Sequence, residues 1–234
     1  MGKREYGQYC GLARALEIVG ERWALLIIRD LLVGPRRFTD LHRGLPRIPT
    51  NILSARLREF ENAGLVRRRL LARPAGSIVY ELTEFGSELD QVVLALGRWG
   101  ARLLAEPAAT EIVTADSLTM AMRSTFDPAA AGDLRARIEL RLGEVVVGVR
   151  IDAGTLDVAP GDLEAPDLRI ETGPALRSLM SGELDPDDAV EQGIVALTGD
   201  QRLLRRFAEV FRIEPMPATM SPAIVGTRYS RRSS

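Results

Sequence analysis

Pro49-Thr50-Asn51-Ile52-Leu53-Ser54-Ala55-Arg56-Leu57-Arg58-Glu59-Phe60-Glu61-Asn62-Ala63-Gly64 decides how the first half of this chain folds. Counted at ~100° per residue, Leu53, Leu57 and Phe60 fall on one stripe of a helix, with Asn51, Ser54, Ala55, Arg58 and Asn62 opposite. One face is built for a core; the other is small, polar and basic. Working upstream, Thr39 to Leu45 reads as a short helix, with Phe38-Thr39 at its start and Pro46 closing it. Residues 21 to 33 carry Trp23, Leu26, Ile27, Leu31 and Leu32 and end at Gly34-Pro35, a strong helix stop. Leu12 to Val19 has helical spacing and stops at Gly20, where a left-handed cap is expected. Downstream, Leu65 to Ala72 and Ser77 to Leu82 flank Arg73-Pro74-Ala75-Gly76, which predicts a hairpin. One long apolar helix is then expected from Glu84 to Leu104, with Leu89, Val92, Leu96, Trp99 and Leu103 on one stripe.

A chain of 234 residues that is 46% hydrophobic can bury a substantial core, and its length suits two domains. Glu106-Pro107-Ala108-Ala109 marks the expected boundary, giving domains at 1–107 and 108–214 and a Pro-, Ser- and Arg-rich tail at 215–234. The net charge of -1 conceals an asymmetry. Residues 1–107 hold 17 Lys+Arg against 12 Asp+Glu, and the remainder holds 14 against 20. Within residues 34–73, ten arginines (36, 37, 43, 47, 56, 58, 67, 68, 69 and 73) face only Asp40, Glu59 and Glu61. Such a local basic footprint attracts polyanions by releasing their counterions. No apolar run reaches the ~18 residues of a membrane span. Because Met1 to Tyr6 also lacks the apolar core of a secretion signal, a cytoplasmic location is expected. A single Cys10 excludes an internal disulfide framework, and the lone His42 leaves no zinc-ligand cluster, so neither metal nor cofactor is expected.

The second half changes grammar. Residues 115–126 read as a helix, and Arg135 to Leu142, Val145 to Ile151 and Thr155 to Val158 read as an antiparallel meander between Gly-containing turns. Asp167 to Thr172 adds a strand, followed by helices at Pro174 to Met180 and Asp187 to Gln192. A strand at Ile194 to Leu197 and a helix at Asp200 to Phe211 complete it. The fold class is therefore α+β, the second domain having a mostly antiparallel five-stranded sheet covered by helices.

Helix, helix, short helix, helix and hairpin is the order of a winged helix-turn-helix, and the details resemble the HxlR-type regulators, relatives of the MarR group. The resemblance rests on Cys10-Gly11-Leu12-Ala13-Arg14-Ala15-Leu16-Glu17-Ile18-Val19-Gly20-Glu21-Arg22-Trp23, on Arg37-Phe38-Thr39-Asp40-Leu41, on Leu53 to Val66 and on Tyr80-Glu81-Leu82-Thr83-Glu84-Phe85-Gly86. This chain departs from the family at Gly11, often Pro, and at Pro49, often Ser, which alters the cap of the recognition helix. Past Pro107, the runs Ala165 to Thr172, Leu176 to Leu184, Asp185 to Gly193 and Val195 to Asp200 resemble the sterol-carrier-protein type-2 fold. That resemblance implies an apolar tunnel for a lipid-like ligand.

The first resemblance implies a DNA-binding regulator acting as a homodimer on an inverted repeat. The residues assigned to DNA are Arg36, Arg37, Thr50, Asn51, Ser54, Ala55, Arg56, Arg58 and Arg73. Asn51 suits adenine, Arg58 guanine or phosphate, and Ala55 a thymine methyl. Phosphate anchoring falls to Arg36, Arg37, Arg56 and the wing residue Arg73. Arg67 to Arg69 lie on a strand and alternate between faces, so not all can reach DNA. Leu118, Met122, Phe126, Val147, Leu179, Met180, Phe207 and Phe211 either line an apolar ligand pocket or simply form the core. Cys10 has two readings, a small buried hydrophobe, which takes precedence, and the oxidant sensor found in some HxlR relatives, which forms an intersubunit disulfide. Trp23 and Trp99 belong to core or dimer packing. No serine elbow, glycine-rich phosphate loop or catalytic triad is visible, which argues against an enzyme. The alternative is a lipid carrier whose basic N-terminal half is only an interaction module.

Overall fold

The computed structural model describes residues 5–72, 76–108 and 110–216, which form two compact units dividing between Val93 and Leu94. In the first unit, α1 (Gly11–Val19), α2 (Ala24–Val33), α3 (Phe38–Gly44) and α4 (Thr50–Asn62) precede a hairpin of β1 (Val66–Leu70) and β2 (Ile78–Leu82). Two helices then follow where one was expected, α5 (Glu84–Ser87) and α6 (Asp90–Ala101). The break at Glu88-Leu89 lets Leu89 and Val93 pack on the first unit's core, while Ala101 packs on the second's. This is why the compact units divide inside α6, ahead of the Pro107 boundary read from the sequence.

The first core gathers Ile27, Ile28 and Leu31 of α2, Leu41 of α3 and Leu53, Leu57 and Phe60 of α4 around Leu65 and Val66. The stripe counted on α4 is thus fully inside, and burying each such side chain contributes about 1.5–3 kcal/mol. Gly20 departs from expectation: its backbone is right-handed, φ -77° and ψ -9°. Glycine is needed there for closeness, since a Cβ would lie 2.5 Å from the Leu16 carbonyl oxygen. Trp23 instead takes the left-handed conformation, φ 76°, with the Arg22 guanidinium 5.0 Å above its ring. A tryptophan in that region carries backbone strain that its surroundings must hold.

The second unit contains α7 (Ala115–Thr125), α8 (Pro128–Ala131), β3 (Arg135–Leu142), β4 (Val145–Asp152), β5 (Thr155–Pro160) and β6 (Leu168–Glu171). After these come α9 (Ala175–Ser181), α10 (Pro186–Glu191), β7 (Ala196–Gly199) and α11 (Leu203–Val210). The five strands are ordered β5-β4-β3-β6-β7. The sheet is mixed: β3 pairs with β6 in parallel, and the other neighbours are antiparallel. Parallel pairing requires a crossover, and residues 161–167 supply it without a helix. One face of the sheet, with Ile138, Leu140, Val147, Val149, Leu168 and Ile170, meets Met122, Leu179, Phe207 and Val210 from the helices in a single buried cluster. On the opposite face the crossover lays Leu163 over Gly148, where an added Cβ would come within 3.2 Å of the leucine. The Leu163 amide there donates to buried Glu139 at 2.8 Å.

Candidate nucleic-acid interface

Helix α4 presents its two faces as its sequence demands. Pro49 occupies the N-cap and offers no side-chain acceptor, so the first turn is closed by the Pro49 carbonyl, which accepts from Ile52 and Leu53 amides at 3.0 Å. Thr50, Asn51 and Arg58 are exposed, and Ser54 and Ala55 half-buried. Arg58 curls back along the helix, its Nε donating to the Ser54 carbonyl at 3.2 Å. Arg36 is anchored through its backbone: it donates to the Tyr80 carbonyl at 3.0 Å and accepts from the Tyr80 amide at 2.8 Å. That pairing sets Arg36 beside the hairpin. Arg37 is exposed at the N-cap of α3, where its amide donates to the Asp40 carboxylate at 3.1 Å. Arg73 lies outside the described residues.

Arg56 is placed otherwise than its assignment as a phosphate anchor requires. Its side chain is only 11% exposed, and its guanidinium donates to Glu21 at 3.2 Å, in the corner between α1 and α2, and to Glu59 one turn along α4. The helical count explains this: Arg56 lies ~60° from Leu53, on the shoulder of the core stripe. The wing arginines also carry counter-charges. Arg67 and Arg69 both donate to Glu81, at 2.8 and 2.6 Å, and hold its carboxyl below the usual range, Arg69 contributing more. Arg68, on the other face, pairs with Glu61 at 2.7 Å and sits 5.4 Å from the Tyr80 ring centre. Glu61 was counted among the acids of this stretch, but the counter-charges Glu21 and Glu81 were missed in the sequence, although Glu81 stands directly opposite Arg67 in the hairpin register. That register was countable once the turn had been located.

A match to the HxlR-like helix-turn-helix model spans residues 18–107. Over 96 residues the chain is 35% identical to the HTH-type transcriptional regulator YodB of Bacillus subtilis (strain 168), covering 41% of this chain and 85% of YodB. This chain belongs to the HxlR-like family. It is also 43% identical over 96 residues to an HTH-type transcriptional regulator of Mycobacterium bovis, covering 41% of this chain and 60% of that protein's length. The reduced form of YodB superposes with a TM-score of 0.37 at 30% identity, covering 43% of this chain and all of that one.

Within the HxlR-like unit, Cys10 is exposed at the N-cap of α1, not buried as its preferred reading had it. His42 is half-buried and stacks on Phe38, ring centres 6.5 Å apart. An apolar cleft of about 270 Å³, unforeseen in the sequence, lies between Ala15, Ile18 and Val19 of α1, Leu65, Phe85, Glu88 and Leu89. Helix α6 buries none of its residues, and Val92, Leu96 and Trp99 are 54%, 48% and 58% exposed. In the second unit, Leu118, Met122, Phe126, Val147, Leu179, Met180, Phe207 and Phe211 all belong to one buried cluster. Phe211 packs its ring 5.6 Å from Phe126 and 4.9 Å from Phe207.

Proposed function

We propose that this protein is a transcriptional regulator that binds duplex DNA as a homodimer, with α4 in the major groove and the hairpin as its wing. The observation that carries the reading is the division of α4: Leu53, Leu57 and Phe60 are buried while Thr50, Asn51 and Arg58 are exposed. A helix bearing small and hydrogen-bonding side chains outward can approach base edges. Asn51 suits the two-pronged edge of adenine, Arg58 a guanine or a phosphate, and Ala55 a thymine methyl; Arg36 and Arg37 supply phosphate contacts. The exposed apolar residues of α6 support a two-fold partner, because a row of Val92, Leu96 and Trp99 in water is otherwise unfavourable. A two-fold dimer reads an inverted repeat with half-sites about 10 bp apart. Mapping bound DNA across the source genome tests this directly. Enrichment of inverted repeats at physiological salt is expected, and binding no tighter than to random duplex refutes it.

Exposed Cys10 favours an oxidant as the input signal over an apolar ligand in residues 108–214, where the proposed pocket residues are packed together. Two Cys10 thiols, one per subunit, would join as a disulfide, giving up two protons and two electrons to a quinone or peroxide. Oxidised wild-type protein should migrate as a covalent dimer on non-reducing gels, and Cys10→Ser should not. A monomeric wild-type band after oxidation refutes this input.

A further inference from the structure

We infer that Arg56 and Glu21 form a positioning pair that sets the rotation of α4 against the α1–α2 corner, so that Arg56 governs sequence reading without touching DNA. The inference rests on the DNA-binding reading above and concerns how the same helix is held. Three observations lead to it. Arg56 is the least exposed member of its ion pairs, 11% against 31% for Glu21 and 51% for Glu59. Its partner Glu21 is thirty-five positions away in the chain, so this contact ties α4 to another element, whereas Glu59 lies on α4 itself. The corner presenting Glu21 is fixed on both sides. Gly20 abuts the Leu16 carbonyl, the Glu21 carbonyl accepts from the Ala24 amide at 3.0 Å, and Trp23 is locked in its left-handed conformation.

The core stripe alone does not fix the rotation of a helix closely, because Leu and Phe side chains can adjust to a few degrees of roll. A planar guanidinium donating to a carboxylate on another element is directional and adds that constraint. Base readout needs it, since Asn51 must present its amide edge to a base with hydrogen-bond accuracy.

Charge and geometry make opposite predictions, which gives the test. Removing the Glu21 carboxylate makes the unit more positive, so simple electrostatics predicts tighter DNA binding; loss of a positioning contact predicts weaker selective binding. The full-length protein and its Glu21→Gln, Arg56→Gln, Glu59→Gln and double Glu21→Gln/Arg56→Gln variants are titrated with a duplex of about 30 bp, long enough for two half-sites. That duplex is enriched from a random library by the wild type, with an unselected duplex alongside. Affinity is measured against salt concentration, and thermal melting confirms folding. Glu21→Gln and Arg56→Gln should each weaken selected binding roughly 5–30-fold, and the double variant should be no worse than the weaker single. Unselected binding and the salt slope should stay unchanged, and Glu59→Gln should have little effect. A slope reduced by about 0.9 in Arg56→Gln, with Glu21→Gln neutral or tighter, would make Arg56 a phosphate ligand and overturn the inference. Should Arg56→Gln fail to fold, the isosteric Glu21→Gln decides alone. Wild-type protein that enriches no duplex overturns the functional reading and this inference with it, an outcome distinct from the slope result.

Discussion

Replacing Glu139 by Gln should loosen the second unit at its crossover. The carboxylate is 1% exposed on the central strand β3 and accepts from the Leu163 amide at 2.8 Å, Arg141 Nε at 2.7 Å and Arg169 Nε at 2.6 Å. Removing one partner of a buried pair costs about 3–5 kcal/mol. Both arginines are about a third exposed, 31% and 33%, and water partly relieves them. An amide also keeps one acceptor oxygen, so the expected loss falls to roughly 2–3 kcal/mol. With a urea dependence of about 2 kcal/mol per molar, the middle of the usual range, the midpoint drops by roughly 1–1.5 M. Amide hydrogen exchange should quicken first in β3 and residues 161–167. Burial pushes the Glu139 carboxyl upward, yet the bonds from Leu163, Arg169 and Arg141 outweigh it and leave it below the ordinary carboxylate range. A carboxyl lowered on folding contributes stability that is complete above its unfolded value, about 4.3, and is lost as pH falls through the folded value. The gap between wild type and Glu139→Gln should therefore be full at neutral pH and narrow below about pH 4. A loss under about 0.5 kcal/mol at neutral pH, the size of an ordinary surface substitution, or a gap that persists at low pH, would refute the role assigned to this carboxylate.

Asn51→Ala should cost about 1–3 kcal/mol of operator affinity and relax preference at one base pair, read by competition among single-substituted duplexes. Glu81→Gln releases Arg67 and Arg69 on the wing and should tighten binding to unselected DNA with a steeper salt dependence; unchanged binding would mean that neither arginine reaches phosphate. Leu96→Asp on the exposed stripe of α6 should shift the protein to monomers in analytical ultracentrifugation, and an unaltered dimer would place the interface elsewhere. Met122→Ala removes a fully buried side chain and should lower stability by about 2–5 kcal/mol in urea unfolding, whereas a near-zero change would point to spare volume around it.

What was legible in the sequence and what was not divide along a physical line. Periodicity reports which side of an element faces a core, because the helical and strand repeats are fixed by backbone geometry. Leu53, Leu57 and Phe60 accordingly lie inside, and the strands expected near 135–142, 145–151 and 167–172 are present. Partners across space carry no such repeat. Glu139 sits among Arg135, Arg137 and Arg141 in an alternation that reads as a solvated face, and it is buried because residues 161–167 return across that face. The same crossover turns an expected meander into a sheet with one parallel pair, a feature set by chain path rather than by the composition of any strand. Cys10 shows the converse error: a small apolar-like residue at a helix start was assigned to the interior on its type alone, yet no core stripe passes through it. Arg56 falls between these cases. Its place on the shoulder of the α4 stripe was countable, and that place argues against contact with a groove on the far side of the helix. The identity of Glu21 as its counter-charge follows only when α1 and α2 have been folded against α4. The residues that touch a base are thus easier to find in a sequence than the residues that aim them, because exposure is a local property and aim is shared between elements.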